Sequence, residues 1–185
     1  MNLVERAKNI LLTPKTEWPI IAGETATISS LLTTYVFPMA ALPAIASLLS
    51  GFLIGGGLSI NMAIATYVAA VLSFVITAYV VDLLATNFKS EKDLNKSAQL
   101  VAYSSTASWI AHILSIVPGI GWLAGILGSL YVIYLMYLGL DTMKKTPEDQ
   151  KIIYMVVVFI VIVVSSIILA AVLGMLLVAG AVTGS

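Results

Sequence analysis

A helix that crosses the hydrocarbon core of a bilayer needs about 20 mainly apolar residues at 1.5 Å each. Five stretches of this chain meet that length: Ser30–Leu49, Met62–Thr86, Ala98–Val117, Trp122–Leu140 and Ile152–Ala179. Lipid offers the backbone no hydrogen-bond partner, so such stretches must be helical. Composition agrees, with 60% apolar and 10% charged residues, against about 45–50% and about 25% in soluble domains. The expected fold is an all-α integral membrane protein with five transmembrane helices. Residues 1–29 form a cytoplasmic amphipathic segment, 30–179 the bundle and 180–185 an external tail. The first long apolar run begins near Leu31, too late for a cleaved signal sequence, so the first span is expected to be retained.

Charge sets the orientation. The chain has nine basic residues. Arg6, Lys8 and Lys15 precede the first span, Lys89, Lys92 and Lys96 separate spans two and three, and Lys144, Lys145 and Lys151 separate spans four and five. In a five-span arrangement all nine fall on one face, which the positive-inside rule makes cytoplasmic. The N-terminus is then inside and the C-terminus periplasmic or extracellular. Net charge is zero, so no nucleic acid is expected as a partner. The absence of cysteine excludes disulfides, cysteine-zinc sites and thiol catalysis. Neither a metal nor a cofactor is expected.

Local chemistry sharpens the edges. Leu3, Val4, Ala7, Ile10 and Leu11 follow helical spacing, while Asn2, Glu5, Arg6, Lys8 and Asn9 take the other face. This predicts an amphipathic helix, lying either in the cytoplasmic interface or on the loops of the bundle. Trp18, beside Pro19, suits the headgroup level. Pro38 and Pro43 predict a kink in the first span. Gly51–Asn61 and Pro118-Gly119-Ile120-Gly121 read as tight external turns. Thr146-Pro147-Glu148-Asp149 and Ser90-Glu91-Lys92-Asp93 each resemble a helix start, with Thr146 and Ser90 as capping hydroxyls.

Asp82 is the most informative single residue, because an acid inside a span faces the bundle or a wet cavity. At similar depth lie Tyr79, Tyr103, Ser104, Ser105, Tyr134, Tyr137 and Asp141. They are expected to form either a polar pocket for a cation, a lipid headgroup or a partner, or a hydrogen-bonded cluster that fixes packing. His112, between Ser108 and Ser115, has no acid to orient it, and a packing role is expected. Gly121, Gly125 and Gly128 allow close helix approach. The last span is nearly all apolar and is read as exposed to lipid or to a second protomer.

Several segments in this order resemble the Yip family, the Ypt/Rab-interacting membrane proteins, in its compact bacterial form. They are the opening Arg6-Ala7-Lys8-Asn9-Ile10-Leu11-Leu12-Thr13-Pro14-Lys15-Thr16-Glu17-Trp18, Tyr79 with Asp82, and Ala102-Tyr103-Ser104. They continue with Val117-Pro118-Gly119-Ile120-Gly121, the run Leu130–Leu140 (Leu-Tyr-Val-Ile-Tyr-Leu-Met-Tyr-Leu-Gly-Leu), and Thr146-Pro147-Glu148-Asp149. The resemblance implies five spans and a cytosolic N-terminus. Eukaryotic members act in vesicle budding, bind small GTPases or partner membrane proteins, and carry a long cytosolic N-terminal region that is not expected here. Bacteria have no matching vesicle pathway, so a small GTPase is not expected as a partner here.

The leading expectation is therefore a non-enzymatic scaffold or binding protein of the bacterial inner (plasma) membrane. Its expected partners are the lipid bilayer, further copies of itself or other membrane proteins. The alternative is a small oligomeric ion or solute channel or transporter using the Asp82 cluster. A membrane-embedded enzyme ranks last, since no catalytic constellation is legible.

Overall fold

The computed structural model describes residues 2–53, 60–117 and 119–183, and for residue 115 and residues 176–183 the backbone alone. Gly55, Gly56, Gly57, Pro118 and the last two residues of the external tail lie outside this description. Among the described residues the chain is all-helical. Two short helices, α1 (Leu3–Leu12) and α2 (Pro14–Gly23), precede α3 (Ile28–Leu53), α4 (Ile60–Leu84, tightening to a 3-10 turn through Phe88), α5 (Leu94–Ala111, likewise through Ile116), α6 (Gly121–Lys144) and α7 (Glu148–Thr183).

Four of these helices, α3, α4, α6 and α7, are long and apolar enough to cross a membrane. The remaining stretch read as a span, 98–117, falls on α5, which is more polar. The reason is its position. Eleven of its eighteen residues are buried, among them Ser97, Gln99, Ser104 and Thr106, and it packs against α1, α3, α4 and α6. A helix sheathed by other helices need not present hydrocarbon to lipid. At the other extreme is α7, with only 6% of its most apolar stretch buried against 33% in each of the other three.

The first span accommodates proline by changing pitch. The Phe37 N–H donates to the Leu32 carbonyl five residues back, giving a π turn over Leu32–Val36. Insertion of a residue into a turn is a common way for a helix to absorb a bend. Pro43 lies within the helix that follows.

The N-terminal segment differs from its sequence reading in two respects. Arg6, assigned to the polar face, is buried together with Ala7 and Ile10, while Val4 and Leu12 are exposed. Trp18 is buried rather than at the headgroup surface. Its indole lies against Gly139 and Leu100, which docks α2 onto α6. The spacing Leu3, Arg6, Ala7, Ile10 is itself one helical face, so α1 buries a charge because its geometry places one there.

The two expected capping hydroxyls pair with each other instead. Ser90 Oγ and Thr146 Oγ1 lie 2.9 Å apart. The cap of α5 is Asp93, whose carboxylate accepts from the Asn95 and Lys96 N–H groups at 2.9 and 3.1 Å. A backbone bond from the Glu91 N–H to the Lys144 carbonyl at 2.8 Å completes the tie between the two charged loops.

Candidate functional site

The structure distributes the candidate polar residues over three places at the end of the bundle that bears the charged loops and leaves two of them facing outward. Asp82 belongs to the first place. Its carboxylate lies 3.4 Å from Lys144 Nζ and accepts from the Ser97 hydroxyl at 3.2 Å. Lys144 Nζ also donates to Ser97 Oγ at 2.7 Å and to the Asp93 carbonyl at 3.3 Å. Lys144 and Ser97 are fully buried and Asp82 nearly so. Three helices, α4, α5 and α6, are thus joined through one closed polar cluster. Beneath it Tyr154 of α7 donates to the Val81 carbonyl and stacks on Phe88 at 4.7 Å.

Tyr103 belongs to the second place. It meets Tyr35 edge-on at 4.8 Å, and the Arg6 guanidinium sits 5.4 Å from its ring centre. Arg6 bridges Glu17, at 2.5 Å, and Glu24. Lys96 Nζ donates to the Ala22 and Glu24 carbonyls at 2.6 and 3.1 Å, closing the C-terminal end of α2. A surface recess of about 490 Å³ opens here, lined by Asn2, Arg6, Glu24, Thr34, Tyr35 and Tyr103 among others. Ser104, the neighbour of Tyr103, is fully buried, and its hydroxyl has no partner among the described residues.

The third place is the hairpin between α6 and α7. Lys151 Nζ reaches Asp141 at 3.5 Å and Glu148 at 2.6 Å, and lies 5.4 Å from the centre of the Tyr137 ring. The Tyr137 hydroxyl donates to Glu148 at 3.4 Å. Tyr79 and Tyr134 are both exposed on the outside of the bundle. Among the packing glycines, Gly128 faces Ala107 and Ala111 of α5 closely, whereas Gly125 has open space beside its Cα.

A cavity of about 400 Å³ runs between α4, α5, α6 and α7, on the side of the Asp82 cluster away from the charged loops. Phe74, Thr77, Val101, Ser105, Trp109 and Met136 are among its walls, and His112 and Ser129 stand at the end farther from Asp82. His112 Nδ1 lies 2.7 Å from the Ser108 carbonyl. Among the described residues no three acids or histidines approach closely enough to hold a metal ion.

Sequence reasoning missed Arg6, Glu17, Ser97 and Lys144 as members of these clusters. For Arg6 the signal was present, since it falls between Leu3 and Ile10 on a single face. For Lys144, the spacing Met136, Leu140, Lys144 repeats every four residues and points inward, but a lysine beside a loop reads first as a solvated flank.

No curated protein and no solved structure matches the chain. The model of the Yip1 domain, however, matches it over residues 8–170, a stretch that holds Glu17, Asp82, Ser97, Tyr103 and Lys144. By that match the chain belongs to the Yip1-domain family.

Proposed function

We infer that this chain is a five-span, non-enzymatic scaffold or binding protein of the bacterial plasma membrane, with its N-terminus in the cytoplasm and its C-terminus outside. The observation that carries the reading is the set of ties at the end of the bundle bearing the basic residues. Arg6, Lys96, Lys144, Lys145 and Lys151 each hold an acid or a carbonyl from a different segment. They brace α1, α2 and both charged loops into one platform. A transporter that alternates its access would have to break such ties in every cycle. A platform that presents a surface need not.

The presented surface has apolar residues among lysines. Val4 and Leu12 on α1 and Ile20 on α2 are exposed, beside exposed Lys8 and Lys15. This suits a segment that lies against a second membrane protein. Treating α5 as the fifth span brings all nine basic residues to one side.

A photo-crosslinking residue placed at Val4, Leu12 and Ile20 in living cells tests the reading. Defined adducts to another copy of the chain or to one membrane protein are expected. Adducts to lipid alone at all three positions would remove it. The channel reading draws on Asp82, and the close pairing of that residue with Lys144 weighs against it. Flux through liposomes that is abolished by Asp82→Asn would reverse that judgement.

A further inference from the structure

The cavity of about 400 Å³ lies within the range of about 300–1,000 Å³ typical of small-molecule sites. Helical rise places it between about 6 and about 22 Å outward of Ser97 along α5, deep in the hydrocarbon layer. Three observations restrict what it can hold.

The first is that its walls are mainly apolar and partly aromatic. Phe74 and Trp109 are buried and Phe159 stands opposite on α7. Among the described residues no Asp, Glu, Lys or Arg lines it. An ion at this depth would have no charge to meet it, at a cost of several kcal/mol.

The second is a set of unspent hydroxyls. Thr77 is buried at 5% exposure and lines the cavity. Among the described residues the hydroxyls of Thr77, Ser73 and Ser105 meet no hydrogen-bond partner, although the Ser105 carbonyl accepts from the Ser108 hydroxyl at 2.9 Å. The hydroxyls of Thr66, Ser108 and Ser129, in the same walls, all donate to carbonyls of their own helices. A saturated acyl chain would leave the Thr77 hydroxyl dry and unpartnered, which costs about 1–3 kcal/mol.

The third is that one side is open. In α7 the buried residues end at Val158, and none of the described side chains from Phe159 to Met175 is buried. Ser129 of α6 and Ser166 of α7 are exposed at the outer half of the same cavity. A file of water would there be unsealed against lipid, whereas a lipophile can enter from the bilayer.

We propose that this cavity binds an uncharged lipid with a flat, carbonyl-bearing ring, the chemistry of an isoprenoid quinone. The ring lies against Phe74 and Trp109 and its carbonyl oxygens accept from the hydroxyls of Thr77 and Ser105. The tail leaves between α6 and α7. Binding here uses none of the groups that brace the cytoplasmic platform and stands apart from the scaffold reading.

The test uses the full chain in phosphatidylcholine nanodiscs, with exposed Trp122 replaced (Trp122→Phe). This leaves two emitters, Trp109 at the cavity wall and Trp18, packed against Gly139 outside it. Trp109→Phe is added as the control that should abolish the saturable component. Titration with decylubiquinone should quench tryptophan fluorescence saturably. Decylbenzene, with the same tail and no oxygen on the ring, should not compete. Thr77→Val with Ser105→Ala should raise the midpoint about tenfold, the loss of one to two hydrogen bonds. Quenching that never saturates, or an unchanged midpoint in the double variant, overturns the proposal. So does equal competition by decylbenzene, which would mark a groove for any alkyl chain. That comparison stands even where the double variant fails to fold.

Discussion

Lys144 Nζ approaches Asp82 Oδ1 at 3.4 Å across the boundary between α6 and α4, and Ser97 of α5 bonds to both. One acid and one base from helices 62 positions apart in sequence are thereby shut off from water by each other. The exchange is energetically asymmetric. Both charges were desolvated to form it, so the pair itself adds little, but removal of one partner strands the other.

Lys144→Met should therefore cost about 3–5 kcal/mol, the usual penalty for an unpaired buried charge. Asp82→Asn should cost less, because the amide still accepts from Ser97. The double variant Asp82→Leu, Lys144→Met should recover most of the loss, since apolar side chains of similar volume suit this position. Unfolding in mixed micelles of rising SDS fraction, followed by circular dichroism, measures all three. Equal stability of Lys144→Met and the wild type would show that the pair does not lock the helices.

Glycine positions give a sharper contrast. A Cβ added at Gly139 would meet Leu100 Cδ1 and would lie 2.8 and 2.9 Å from Cζ2 and Cε2 of Trp18. At Gly128 it would lie 2.5 Å from Ala111 Cβ and 3.3 Å from the Ala107 carbonyl. Gly125 has nothing within 4 Å. Gly139→Ala and Gly128→Ala should each destabilise by about 1–3 kcal/mol through overpacking. Gly125→Ala should be neutral or gain up to about 1 kcal/mol from helix propensity. The same denaturation series ranks them, and a loss at Gly125 equal to that at Gly139 would refute the assignment.

These glycines show where the sequence was legible and where it was not. The motif Gly121-x-x-x-Gly125 with Gly128 predicted close helix approach, and the structure places Gly128 against α5 but leaves open space beside Gly125. Gly139 stands alone among larger residues, and its partner Trp18 lies more than a hundred positions earlier, so no local pattern points to it. Apolar run length conveyed α3, α4, α6 and α7 because lipid selects composition directly. The polar clusters were harder to read. Depth alone brought Tyr79, Asp82, Tyr103 and Tyr134 to one level, but level does not fix azimuth. Rotation of each helix turned Asp82 inward and Tyr79 and Tyr134 outward, and that rotation follows from packing across the whole bundle.

Backbone conformation supplies a stabilising substitution. Lys89 and Lys145 close helical segments in the left-handed region, at φ of 54° and 48°. That region costs an L-residue about 1–2 kcal/mol, and glycine adopts it freely while losing more chain entropy on folding. Lys89→Gly should raise stability by about 0.5–1 kcal/mol. Lys145→Gly should gain less, because it gives up the exposed pair with Glu91 at 2.5 Å, which contributes about 0–1 kcal/mol. Thermal unfolding at low salt separates the two, and a loss on Lys89→Gly would show that its side chain matters more than its backbone.

Arg6 tests whether α1 and α2 are fastened to the bundle by geometry or by charge alone. Its two terminal nitrogens serve different carboxylates, Glu17 at 2.5 Å and Glu24, and its plane rests near Tyr103. A lysine carries the same charge but has one small ammonium in place of the planar fork. Arg6→Lys should keep the contact with buried Glu17 and release Glu24, which is more exposed. Amide exchange should then quicken around residues 23–27 and remain slow through α1. Arg6→Met should quicken exchange through both short helices, since Glu17 would be left buried without a cation, and adding Glu17→Gln should restore much of the protection. Salt discriminates further. The Arg6–Glu17 pair is shielded from solvent and should hold in 0.5 M NaCl, where the Debye length falls to a few ångströms, whereas the exposed Lys145–Glu91 pair should weaken. Equal exchange in the lysine variant and the wild type would mean that a single positive charge suffices and that the fork holds nothing in place.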